Sequence, residues 1–262
     1  MLRNVYAPLS AGVGQERLLE ILANNMANTN TNGYKEDQVS FRGLEADPWP
    51  NYSNPNPPAP FKMDMKEVYP LRGNDMGYVS VADVKTDFAP GSLRRTDNNL
   101  DFAIQGEGFF AIMTPFGERY TRDGSFTLNR DGVLTTKNGA PVQGEKGAIA
   151  GLQEGNMRVL SSGEVYAGEK YIDKIKSVDF KDKKVLQRLG GNLYIHDGAP
   201  SNIIASSGEI TQGHVELSNV NPMKNMSAMI IAHRTYEALQ KTIKTHDENL
   251  GLSSSKVGEV NG

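Results

Sequence analysis

The apolar positions of this chain follow three different rhythms. Near the start, Leu2, Val5, Leu9, Gly12, Leu19, Leu22 and Met26 recur at steps of three or four, with one gap at Glu16. That is the period of one helix face. Pro8 falls inside the pattern and predicts a kink in the first turns or a later start. The stripe dissolves into Asn28-Thr29-Asn30-Thr31-Asn32-Gly33. Asn and Gly tolerate the left-handed conformation that ends helices, so Asn32-Gly33 is the predicted stop.

At the other end, Asn221-Pro222 supplies an N-cap followed by proline at the first helical position. Met226, Met229, Ile230, Tyr236, Leu239, Ile243 and Leu250 then read as one stripe, with Lys224, Arg234, Lys241 and Lys244 off it. Gly251 is the predicted C-cap, and Ser253 opens a polar tail.

The middle alternates on a short period. Phe109–Met113, Arg119–Arg122, Ser125–Leu128 and Val133–Thr136 are separated by Pro-Phe-Gly, Asp-Gly and Asn-Gly turns. Apolar runs spaced in this way signal hairpins. Further strand candidates are Arg158–Leu160, Glu164–Ala167, Ile175–Phe180 and Leu193–His196. Glycine usage agrees: 20 of the 27 glycines lie between Gly73 and Gly213, which sets a turn-rich middle apart from the two ends. Six of the 13 prolines fall in residues 48–60, around the single tryptophan, Trp49, and a helix cannot form there.

These patterns predict an α+β chain. N- and C-terminal helices pack together or with neighbouring subunits, and a central domain is antiparallel β. The boundaries read as 1–33 for the first helix, 34–74 for a Pro-rich linker or extended segment, 75–212 for the β domain, 213–252 for the last helix and 253–262 for the tail.

Composition narrows the function classes. A net charge of −3 gives no basic footprint for nucleic acid or an anionic membrane. There is no cysteine, so disulfides and thiolate metal sites are excluded. No stretch approaches the ~20 apolar residues of a membrane span, and the N-terminus does not read as a cleaved secretory signal. His196, His214, His233 and His246 do not pair at metal-ligand spacing. His233 is read as a packing residue on the apolar stripe of the last helix. Gly106-Glu107-Gly108 lacks the third glycine of a dinucleotide loop, and Phe109-Phe110-Ala111-Ile112 after it reads as a buried strand. The carboxylates Asp97, Asp101, Glu107, Asp173, Asp179 and Asp182 carry no mark of acid–base work. The expectation is a protein that is not an enzyme, with no catalytic residue, cofactor, metal or small-molecule substrate.

Four segments then bear a resemblance. Ala23-Asn24-Asn25-Met26-Ala27-Asn28-Thr29-Asn30-Thr31-Asn32-Gly33-Tyr34-Lys35 resembles the N-terminal signature of flagellar basal-body rod and hook proteins, with Tyr34 where that family usually has Phe. Asp101–Phe110, Tyr120–Phe126 and Gly213–Asn221 resemble three further motifs of the same family, in family order. Residues 46–73 and the tail after Leu252 match nothing in it. Gly139–Glu145 and the pattern from Met226 to Asn249 look most like proximal-rod members, with distal-rod members second.

The resemblance implies an axial structural subunit that polymerises into a periplasmic tube, transmits torque and encloses the export channel. It implies export by the flagellar type III apparatus without signal cleavage. The partners it implies are further copies of the chain, other proximal and distal rod proteins and that export apparatus. On this reading Leu19, Leu22, Met26, Met226, Met229, Ile230, Tyr236, Leu239 and Ile243 bury surface between subunits. Asn28, Asn30, Asn32, Gly33 and Tyr34 shape the corner after the first helix. The competing reading is a free-standing binding module or adhesin on the β domain, dimerised by its helices.

Overall fold

A computed structural model describes residues 3–45, 77–153 and 155–259. Two helices bracket the β strands: α1, Arg3–Ala27, and α2, Pro222–Glu259. The Pro-rich segment with Trp49, read as a linker, lies outside the described residues.

The central strand is Phe109–Thr114. It lies inside a six-stranded antiparallel sheet with the order 186–190, 193–196, 117–121, 109–114, 177–180, 203–205. In register, Phe110 faces Thr121 and Met113 faces Glu118, while Tyr194 faces Tyr120 on the next ladder. Successive residues of a strand point to opposite faces. Accordingly Phe110 and Ile112 enter one core, with Phe102, Phe126, Leu134 and Val142. Phe109 and Ala111 enter a second, with Tyr120, Phe180 and Tyr194. A strand covered on both faces needs an unbroken apolar run, and Phe109-Phe110-Ala111-Ile112 is one. The turn before it is made by Gly106 and Gly108 at φ of 111° and 139°.

Smaller ladders complete the β part. Residues 157–159, 164–167 and 170–174 form a three-stranded sheet. Glu209–Gln212 pairs with Phe102–Gln105, and His214–Glu216 pairs with Leu93–Arg95.

Several boundaries differ from the sequence reading. Within residues 34–74, read as a linker or extended segment, Asp37–Glu45 is a strand, laddered with Gly77–Thr86. Residue 213 does not begin a helix, since 214–216 is a strand and α2 starts at Pro222. The cap is as expected, with the Asn221 side chain accepting from the Lys224 amide at 3.1 Å. Gly251 does not end α2, which runs on through the segment read as a tail to Glu259. Glycine costs about 1 kcal/mol in a helix interior, a penalty a long helix can carry. Pro8 lies within α1. That helix ends at Ala27, ahead of the predicted stop. The chain then turns with Asn28 and Thr29 bonding back to the carbonyls of Asn24 and Met26, both at 2.9 Å.

The described chain forms two compact units. One comprises, among the described residues, 3–22, 39–45, 77–84 and 227–259, and its two helical stretches pack together. Its buried positions include Gly12, Gly14, Ile21 and Leu22 on α1 and Ala232 on α2. The other comprises, among the described residues, 23–38, 85–153 and 155–226. The corner after α1 is therefore part of the β unit.

Candidate functional site: the corner and the helix faces

The corner is built around Gly33, at φ +67°. Its amide donates to the Glu216 carbonyl at 2.8 Å. Either side, Asn32 Nδ2 donates to Ser125 Oγ at 2.8 Å and Asn192 Nδ2 donates to the Asn32 backbone carbonyl at 2.9 Å. Asn25, fully buried, treats Asp37 as a strand partner. Its Nδ2 donates to the Asp37 carbonyl at 2.8 Å, and its Oδ1 accepts from the Asp37 amide at 3.0 Å. The Tyr34 hydroxyl donates into the Asn24 and Asn25 side-chain oxygens, at 2.9 and 3.0 Å. Arg188 lies over the Tyr34 ring, 4.4 Å from its centre. It also donates to the Lys35 carbonyl and to Asp37 Oδ1. Burial pushes the Tyr34 phenol above its ordinary value, against the pull of the Arg188 charge.

Beneath the corner sit three buried charges. Lys35 Nζ reaches Glu216 Oε1 at 2.6 Å and the Ala89 carbonyl at 2.8 Å. Glu216 Oε1 also accepts from the Gly91 amide at 2.8 Å, while Oε2 faces Arg122 Nη1 at 3.2 Å. Arg122 donates further to the carbonyls of Ile104 and Gly106. Burial pushes both cations below their ordinary pKa, and the Glu216 charge opposes that in each case. Such ions hold together only because each is paired and hydrogen-bonded. The site's chemistry is thus electrostatic anchoring.

Of the predicted corner residues, Asn32, Gly33 and Tyr34 converge on this network, whereas Asn30 is exposed and Asn28 bonds only within its own turn. The sequence reading missed Lys35, Arg122 and Glu216 as site residues. The signal was present, because each belongs to one of the motifs that carried the resemblance.

The predicted interface residues do not form one stripe. Leu22 is buried, and Leu19, Met26, Met229, Tyr236, Leu239 and Ile243 are half-buried within this chain. Met226 and Ile230 are 54% and 48% exposed, beside Met223 at 73% and Ile231 at 66%. On α1, Leu9 and Val13 are exposed as well. His233 does not lie against the apolar stripe; it is exposed, with Nδ1 3.5 Å from Glu237.

The carboxylates singled out in the sequence have local roles. Asp97 pairs with Arg95, while Glu107 and Asp179 pair with Lys183. Asp173 accepts the amides of Lys146 and Lys174, and Asp182 that of Lys184. Among the described residues, no group of three metal-donor side chains occurs and no helix is long and apolar enough to cross a membrane.

Comparison with known proteins gives matches along the chain. Residues 103–212 match the flagellar hook protein FlgE/F/G D1 domain, and residues 211–255 the flagellar basal body rod FlgEFG protein C-terminal region. The chain is 31% identical to the flagellar basal-body rod protein FlgF of Caulobacter vibrioides, over 98% of both chains. It is 30% identical to the FlgG rod protein of Buchnera aphidicola from Schizaphis graminum, covering 90% of this chain and 92% of that one. The flagellar hook-basal body complex protein FlhO of Bacillus subtilis is 29% identical, over 99% of this chain and all of its own.

Proposed function

This chain belongs to the flagellar basal-body rod protein family, and on that premise we propose that it is a proximal-rod subunit whose terminal helices build the shaft. It is a structural subunit of the basal-body rod. In the finer reading it polymerises across the periplasm, transmits torque, encloses the export channel and is delivered by the flagellar type III apparatus. Its partners are copies of itself and neighbouring rod proteins, and its role is architectural rather than catalytic. Full-length similarity to FlgF supports the proximal position. The FlgG relatives make a distal-rod subunit the second reading.

One observation carries the assembly surface. Met223, Met226, Ile230 and Ile231 stand exposed on α2 while Met229, Ala232, Tyr236, Leu239 and Ile243 turn inward. Apolar side chains grouped on a helix in this way gain from burial against another subunit. The interface residues predicted from sequence therefore divide into a face packed within the chain and a face for neighbours.

Ile230→Asp is the clean test, because that side chain is exposed in the monomer and a charge would be left unpaired only in the polymer. We expect an unchanged circular dichroism spectrum for the purified variant and no basal bodies beyond the rod stage in cells. Met229→Asp should damage the monomer as well. Normal basal bodies with Ile230→Asp would overturn the assignment of this face.

A further inference from the structure

Three sequence motifs far apart in the chain end in one buried place. The corner delivers Lys35, the strand 117–121 hands on to Arg122, and the strand 214–216 delivers Glu216. Lys35 and Glu216 have side-chain exposures of 0% and 1%, and Arg122 has 3%. We propose that these three residues form a latch that locks the corner into the β unit within each subunit, so that the end of α1 and the start of α2 are rooted in one body before assembly.

The geometry around the latch gives it that consequence. Asn25, in the last turns of α1, is bound to Asp37 just past the corner. The Glu36 amide donates to Asn219 Oδ1 at 2.7 Å, and the Glu36 carboxylate accepts from Asn225 Nδ2, in the first turn of α2, at 2.7 Å. Residues 35–37 thus touch both helix roots, and Lys35 pins them.

The charges make the latch asymmetric. Two cations share one anion. Glu107 and Asp179 also act on Arg122, and Asp87 on Lys35, at longer range. Neutralising Lys35 leaves Glu216 paired with Arg122 and with the Gly91 amide. Neutralising Glu216 leaves two buried cations facing each other and backbone carbonyls. A latch therefore predicts that Glu216→Gln is the more damaging single change, and that adding Lys35→Met to it restores order by removing one cation. Side chains that merely filled space would give additive losses.

Hydrogen exchange on the purified full-length monomer reads this directly. In the unmodified chain, the amides of Gly33 and Glu36 should be protected as the strand 109–114 is. Lys35→Met should speed exchange in residues 33–37 by about tenfold or more while leaving 109–114 unchanged, since local opening is then easier. Glu216→Gln should speed it further, and the double variant should return toward Lys35→Met. If Glu216→Gln gives no folded protein while the double variant folds, the cation–cation argument is equally upheld. Three results would overturn the latch: a corner that exchanges like free peptide in the unmodified monomer, a Lys35→Met corner as protected as the original, or a double variant worse than both single changes.

Discussion

Gly33→Ala should be the most damaging single-methyl change at the corner, and its size can be worked from the backbone. Gly33 holds φ +67°. Placing Ala in that left-handed region costs about 1–2 kcal/mol. The added Cβ would stand 2.3 Å from the Asp123 nitrogen and 2.4 Å from the Arg122 carbonyl carbon, where ordinary contact begins at 3.4 Å. Both neighbours are backbone, so no side chain can swing aside. The corner must shift, and the 2.8 Å bond from the Gly33 amide to the Glu216 carbonyl goes with it, at about 1 kcal/mol net. Overpacking strain adds to that, for a total of about 3–5 kcal/mol. Gly139→Ala is the control. It has φ +81° and nothing within 4 Å of its added Cβ, so only the left-handed penalty of about 1–2 kcal/mol applies. Loss of unfolded-chain entropy favours both variants alike and cancels in the comparison. Urea unfolding followed by near-ultraviolet circular dichroism should show midpoints falling with an unchanged slope. In thermal unfolding, the corresponding drops are about 10 °C for Gly33→Ala and about 4 °C for Gly139→Ala. Equal losses for the two variants would refute the claim that the corner is clamped against Arg122 and Asp123.

Two further predictions concern single side chains. Burial, reinforced by Glu118, pushes the Tyr120 phenol up to about 12. The folded chain therefore holds this proton where the unfolded chain has released it. The stability this shift contributes is fully present below pH ~10 and is lost as pH rises to ~12. The difference in denaturation midpoint between the unmodified chain and Tyr120→Phe should narrow over that window, and a constant difference would count against it. Arg188→Lys keeps the charge but loses the planar group that lies on Tyr34 and forks to Lys35 and Asp37. It should cost about 1–2 kcal/mol, and a double-mutant cycle with Tyr34→Leu should show coupling between the two; simple additivity would remove the stacking from the account.

What could be read in advance followed from how many residues carried each signal. The strand 109–114 announced itself because both of its faces are covered and no polar position interrupts it. Glu164–Ala167 and Leu193–His196 were legible from flanking turn residues. The ladders 93–95 with 214–216, and 102–105 with 209–212, were not, because their partners lie more than a hundred residues apart and no hairpin turn marks strands so short. The strand 37–45 was hidden by its neighbourhood, as a Pro-rich stretch nearby made the whole segment look extended and unpaired. Gly251 misled in the opposite sense, since one glycine that looks like a cap cannot outweigh the helical residues around it. The corner was partly legible. Gly33 and Tyr34 stood out as turn chemistry, whereas Lys35, Arg122 and Glu216 each stood inside a motif with nothing in its own segment to mark it as a buried charge. Only the fold, by bringing residues separated by up to 181 positions together, shows that their charges are satisfied by one another.

The stripe on α2 failed for a geometric reason that bears on assembly. A helix advances about 100° per residue. Measured from Met229, the positions Ala232, Tyr236, Leu239 and Ile243 fall within about 80° on one side. Met226, Ile230 and Met223 fall about 60°, 100° and 120° round on the other. Steps of three and four describe both sets, so a list of spacings merges them into one stripe although they point in different directions. The inward set is spent on packing within the chain, where Ala232 is all but fully buried. The outward set stays largely exposed, at 73% for Met223, 54% for Met226 and 48% for Ile230. The polar residues Arg234, Ser227 and Lys224 lie further round still, at about 140°, 160° and 220°, on a side they share with exposed Ile231. Apolar residues on two faces of one helix are what a layered polymer requires, because each subunit must satisfy its own partner helix and a neighbour at the same time.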